Sequence, residues 1–195
     1  PLSDFREQAR GGVGSKGAHT RDKDFTEYIY PATMHQTMLF FTKKGRCYWL
    51  HCYDIPEGEK TSKGRAIQNL LNIDPGDSVN AFLRLRGRGL ENEEFVNSHY
   101  VVFATKNGTV KKTSLKEYSR PRTNGVIAIN IAEGDEVVDV RLTNGRNELI
   151  LADRNGRAVR FDEADIRTMG RTATGVRGMR LDGGDDAVVG MIVVN

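Results

Sequence analysis

One motif recurs three times along the chain, and this recurrence limits the fold more than any other property of the sequence. Residues 38–49, 101–112 and 149–160 each read as a short apolar strand, a turn carrying Lys-Gly or Asn-Gly, and a second strand. Glycine accepts the positive φ that a tight hairpin turn demands, so each segment predicts a β-hairpin. Downstream of each hairpin comes a polar-aromatic stretch, then a basic loop ending in glycine: Lys60-Thr61-Ser62-Lys63-Gly64, Arg120-Pro121-Arg122-Thr123-Asn124-Gly125 and Arg171-Thr172-Ala173-Thr174-Gly175. The hairpin glycines Gly45, Gly108 and Gly156 precede these loop glycines by 19, 17 and 19 residues. An acidic turn follows 12, 9 and 9 residues later, at Gly76-Asp77, Gly134-Asp135 and Gly184-Asp185.

Each loop glycine is followed by a predicted third strand (66–73, 126–131, 176–181), and each acidic turn by a fourth (79–85, 137–142, 187–194). Four short strands per unit of about 45 residues is the period of a propeller blade. The fold class predicted is therefore all-β, a propeller-like array of four-stranded blades, with only 163–169 offering a helical turn or two. Residues 1–36 match the second half of a unit that lacks its hairpin, so the ring is expected to be partial. The blades are then 37–99, 100–147 and 148–195, with 86–99 inserted in the first of these as a surface loop. Pro1 is not an initiator residue, so the chain reads as a fragment.

The opening half-unit carries the most unusual loop. Gln8-Ala9-Arg10-Gly11-Gly12-Val13-Gly14-Ser15-Lys16-Gly17 cannot be a helix interior or a regular strand, because glycine forfeits backbone entropy and packs no side chain. Its N–H groups can approach a ligand closely while Arg10 and Lys16 supply positive charge, which suits a phosphate.

The 29 cations and 26 carboxylates leave a net charge of only +3, so their distribution has to decide what they bind. Cations concentrate between hairpin and loop glycine: Lys43, Lys44, Arg46, Lys63 and Arg65; then Lys106, Lys111, Lys112, Arg120 and Arg122; then Arg154, Arg157, Arg160, Arg171 and Arg177. Carboxylates gather at the acidic turns, so side-by-side blades would collect cations on one rim and carboxylates on another. A stripe of Lys and Arg in loops, with no helix to enter a groove, suits the phosphates of double-stranded DNA better than base edges. Phe40, Phe41, Phe103 and Trp49 sit at strand positions and read as core rather than as stacking platforms for single strands.

Other chemistries are disfavoured. Cys47 and Cys52 lie five residues apart on one apparent strand, facing opposite ways, so they do not pair; with four scattered histidines they offer no metal site. No apolar run approaches the ~18 residues of a membrane span. No carboxylate pair or nucleophile set recurs, so the chain itself shows no catalytic centre.

The chain resembles the C-terminal DNA-wrapping domain of the bacterial DNA gyrase A protein. The resemblance rests on Gln8, Arg10, Gly11, Gly12 and Gly14, which match five of seven positions of that family's box, with Lys16-Gly17 following. Ala9 and Val13 depart at its two variable basic positions. The stretches 64–71, 107–113 and 169–178 match further, and the similarity covers essentially the whole chain. It implies a β-pinwheel that wraps DNA around a basic perimeter and, with the box, serves ATP-dependent negative supercoiling. It also implies that ATP and Mg act elsewhere, so this segment needs no cofactor. The partners it implies are the gyrase B protein and the N-terminal part of the gyrase A protein, in an A2B2 holoenzyme. The implied location is cytoplasmic and nucleoid-associated, with no membrane. The alternatives are the equivalent domain of topoisomerase IV, which is similar but has a degenerate box, and a propeller serving as a protein-interaction platform.

Overall fold

A computed structural model of the chain describes residues 7–15, 20, 25–59, 62–86 and 89–195. The three expected hairpins form, as β1 (Thr37–Thr42) with β2 (Arg46–His51), β4 (Tyr100–Thr105) with β5 (Thr109–Ser114), and β8 (Glu148–Asp153) with β9 (Ala158–Asp162). Their turns are built around glycine alone. The N–H groups of Gly45, Gly108 and Gly156 donate to the carbonyls of Thr42, Thr105 and Asp153, closing a four-residue turn that ends in a positive-φ glycine. The side chains of those same three residues accept the next N–H, from Arg46, Thr109 and Arg157 at 3.1, 3.1 and 2.7 Å.

The acidic-turn strand of each unit, β3 (Val79–Arg84), β7 (Val137–Thr143) or β11 (Val188–Val194), pairs antiparallel with the first strand of its own hairpin. Each pairing carries one register shift, at Thr42, Thr105 and Val188. The remaining strand does not stay at home. β6 (Val126–Ile127) adds to β2, and β10 (Val176–Arg177) adds to β5, so each is donated to the preceding unit's hairpin. The sheets are therefore β3-β1-β2-β6, β10-β5-β4-β7 and β11-β8-β9. Hydrogen-bonded sheets thus cross the sequence boundaries at 99/100 and 147/148, which corrects the expectation that each unit builds its four strands alone.

The exchange has a specific backbone lock. Gly45 O accepts from Ala128 N (2.8 Å) and Ile129 N (3.1 Å), and Gly108 O accepts from Gly178 N (2.8 Å) and Met179 N (3.1 Å). A Cβ on Gly108 would lie 2.5 Å from Met179 O, so the approach requires glycine. The predicted strand 66–73 has no hairpin to join among the described residues. It forms instead a 3-10 turn at Ile67–Asn69, and Leu71 packs on the outer face of the first sheet with Phe40, Tyr48 and Leu50.

Burial follows from stacking the sheets. Leu39, Phe41, Val101 and Phe103 face each other across the first and second sheets, together with Ala128 and Ile129 of the exchanged segment. Val102 and Ala104, on the opposite face of β4, meet Leu149, Leu151 and Met191 of the third sheet. A strand buried on both faces reads as a continuous apolar run, as Tyr-Val-Val-Phe-Ala does. The insertion 86–99 is more than a surface loop. Asn92 Oδ1 accepts from Phe95 N and caps α1 (Glu93–Ser98), whose Val96 is buried in the core between the first two sheets. β2 ends at His51, so Cys52 starts a short 3-10 turn, and both cysteines are free thiols.

Candidate nucleic-acid interface

The cations divide into three groups according to the element that carries each. At the hairpin turns, Lys43, Lys44, Lys106, Arg154 and Arg157 lie beside the acidic turns, not on a separate rim. The backbone imposes this: Lys43, Lys106 and Arg154 donate their N–H groups to the carbonyls of Ser78, Glu136 and Ala187. Asp77 and Asp135 also spend an oxygen on the turns, accepting from Lys44 N at 3.2 Å and Asn107 N at 2.9 Å. Arg157 pairs with Asp182 (2.7 Å), Asp153 (3.1 Å) and Asp186 (3.2 Å), and the contacts with Asp182, then Asp153, raise its pKa. Arg160 pairs with Glu148. The separation of cation and carboxylate rims expected from the sequence therefore fails at this end. The acidic turns are clamps on the hairpins.

A second group is buried. Lys111 is fully buried; its Nζ donates to Ala128 O and Arg171 O, both at 2.6 Å, and lies 5.4 Å from the Phe103 ring. Loss of water, then the Arg171 charge, lowers its pKa to about 7 against a weaker opposing pull from Glu117. Lys112 pairs with the fully buried Glu163 at 3.2 Å and sits over the Tyr100 ring at 4.5 Å. Glu163 also accepts from Thr143 Oγ1 at 2.7 Å and Asn147 N at 2.8 Å. Neither lysine reaches a phosphate in this conformation, which corrects their assignment to a DNA-binding stripe.

The third group lies downstream of each hairpin, on the basic loops and in β10. Lys63, Arg65, Arg120, Arg122 and Arg177 are exposed. Arg46 reaches this end from β2: its Nη2 donates to Asn124 O at 2.7 Å and its guanidinium lies 6.0 Å from the Tyr48 ring. Arg171 crosses from the 148–195 repeat, donating through Nη1 to Ile127 O at 3.3 Å, with Nε 3.9 Å from Glu117 Oε2. Lys116, Glu117, Ser119, Arg120, Arg122 and Arg171 surround an open cavity of about 330 Å³, floored by Val126. Lys116 and Ser119 enter the site because the 3-10 turn Leu115–Tyr118 buries Leu115 and Tyr118 and so turns them outward.

In the glycine-rich segment, Gln8, Arg10, Gly11, Gly12 and Gly14 are exposed, while Lys16 and Gly17 lie outside the described residues. Gln8 Oε1 accepts from Gly14 N at 3.0 Å, and Gly12 N donates to Ala9 O at 3.0 Å. Gln8 thus folds the segment back on itself and leaves Arg10 facing outward. Among the described residues no group of three or more His, Cys, Asp or Glu is placed to hold a metal ion, and no helix is long and apolar enough to cross a membrane.

Comparison with known proteins places this geometry in context. The family model described as DNA gyrase C-terminal domain, beta-propeller, matches residues 1–32, 36–86, 99–144 and 147–195. The DNA gyrase A protein of Salmonella typhimurium is 46% identical over 193 residues, covering 99% of this chain and 21% of that protein. The chain therefore spans about a fifth of the length of such relatives. The crystal structure of the C-terminal domain of DNA topoisomerase IV superposes with a TM-score of 0.71 at 34% identity, over 83% of this chain and 48% of that one. A DNA gyrase A C-terminal domain superposes with a TM-score of 0.67 at 18% identity, over 98% of this chain and 59% of that one, a likeness of fold.

Proposed function

The chain belongs to the DNA gyrase C-terminal domain family, and from that premise we propose that it binds and wraps duplex DNA without marked sequence preference, as a non-catalytic part of a type II topoisomerase. The observation that carries the reading is the set of exposed or half-exposed cations downstream of each hairpin: Lys63 and Arg65, then Arg120 and Arg122 before β6, then Arg171 before β10 and Arg177 within it. The 119–125 loop adjoins Arg171 of the next repeat, so duplex DNA lying across them contacts two repeats in turn. Such contacts go to phosphates, position the duplex and carry little sequence information. Bending a 20–30 bp site costs on the order of 1–6 kcal/mol, which several phosphate contacts offset through counterion release.

The same reading puts the catalytic chemistry, ATP and Mg in the rest of an assembly with the gyrase B protein and the N-terminal part of the gyrase A protein, in the cytoplasm with the nucleoid. Within it, the Gln8–Gly14 turn fastens the wrap, with Arg10 as its outward cation. Replacing residues 10–17 by alanine in the holoenzyme tests this: negative supercoiling should be lost while relaxation of supercoiled DNA persists. Equal loss of both would make the segment structural only.

A second reading, the equivalent domain of topoisomerase IV, is favoured by the 34% identity to that solved structure. It predicts that the same replacement leaves the holoenzyme's activity unchanged, since no negative supercoiling is there to lose.

A further inference from the structure

The cavity bounded by Lys116, Arg120, Arg122 and Arg171 has a construction that a solvated charged surface lacks. Its walls come from two repeats: the loop 119–125 belongs to 100–147, whereas Arg171 belongs to 148–195. Four cations converge there against one carboxylate, Glu117. Among the described residues Lys116, Arg120 and Arg122 make no ion pair, whereas Arg157 holds three carboxylates and Arg160 one. Arg171 is oriented in advance by its bond to Ile127 O. Its carbonyl is held from below by the Lys111 ammonium, which ties the loop to Ala128 of the exchanged segment. A water molecule occupies roughly 30 Å³ of liquid, so 330 Å³ accommodates a phosphodiester group together with water.

Resting on the reading as a duplex-binding domain, we propose that this cavity is the seat of one backbone phosphate of duplex DNA, shared between the 100–147 and 148–195 repeats. A phosphate here neutralises cations of both repeats at once, so DNA binding also holds their junction closed. Ligand that binds only the folded state stabilises it by mass action, and the junction gains most because both of its sides make the site.

The test measures binding of a blunt 30 bp duplex at low salt to the 195-residue chain and to three variants: R120Q/R122Q, E117Q and R154Q. The replaced side chains are exposed, and far-ultraviolet circular dichroism checks that each variant folds. R120Q/R122Q should weaken binding at least about fivefold and lower the salt slope by about one, the signature of one lost phosphate contact. E117Q should tighten binding, because it removes the one opposing charge that lines the cavity. R154Q, at a hairpin turn beside its acidic clamp, should bind within about twofold of the parent. Duplex binding by the parent with R120Q/R122Q and E117Q both indistinguishable from it would overturn the seat while leaving the duplex reading standing. Absence of duplex binding by the parent would overturn both. Inorganic phosphate provides the remaining arm. If it raises the melting temperature of the parent but not of R120Q/R122Q, while duplex affinity is equal in the two, the cavity takes free anions and not DNA.

Discussion

At the scale of single residues, the repeat alignment held a signal that the local pattern concealed. In Val110-Lys111-Lys112-Thr113 the lysines read as part of a DNA-binding stripe, yet Lys111 stands where Tyr48 stands in the preceding repeat, and Tyr48 is buried. The aligned position identified core; the side chain alone did not. Placing an ammonium there has a consequence for pH. An unfolded lysine titrates near 10.5, whereas Lys111 in the fold titrates at about 7. Between those values the unfolded chain binds the extra proton, so this group makes stability rise as pH increases from about 7 towards 10.5. Below about pH 7 both states are charged and the cost of burying the charge is present in full. Lys111→Met should therefore flatten the pH dependence of urea stability over that interval; an unchanged profile would remove Lys111 as its source. The neighbouring pair makes a different prediction. Glu163→Ala strands the Lys112 ammonium in the core and should cost about 3–5 kcal/mol in urea unfolding. A cost below about 1 kcal/mol would show that water reaches Lys112.

At the scale of elements, hairpins were legible and strand exchange was not. Alternation, turn glycines and spacing located β1–β2, β4–β5 and β8–β9, because a hairpin is closed by residues near in sequence. β6 and β10 are two residues long, and their partners lie in the preceding repeat, which no local pattern encodes. The capped helix in the insertion was missed for a related reason: six residues carry too little periodicity, and only the Asn92 cap with Glu93 and Glu94 after it marked its start. Glycine substitutions separate exchanged from unexchanged hairpins. Gly108→Ala puts a methyl 2.5 Å from Met179 O in addition to its positive φ, whereas a Cβ on Gly156 meets nothing within 4 Å. Gly156→Ala should cost only the left-handed backbone penalty of about 1–2 kcal/mol, and Gly108→Ala clearly more. Equal melting temperatures for the two variants would contradict the exchanged lock.

At the scale of the whole molecule, the sequence located the charge by repeat but not by end. Each repeat's cations were visible, yet only the fold shows that hairpin-turn cations lie beside the acidic turns while the loop cations Lys116, Arg120, Arg122 and Arg171 gather around a single carboxylate, Glu117. Repeats stack sheet on sheet, and the loop before β10 adjoins the loop before β6, so basic loops of two repeats meet at one positive edge. The functional reading stands or falls with that edge, and the affinity of the chain for a mixed-sequence duplex as a function of salt probes it without intermediaries. Phosphate contacts along the edge should give a linear fall of log K with log salt, steeper than about −2.7, since each contact contributes about 0.9 and three loops contribute at least one each. A slope shallower than about −1, or no binding at low salt, would contradict it.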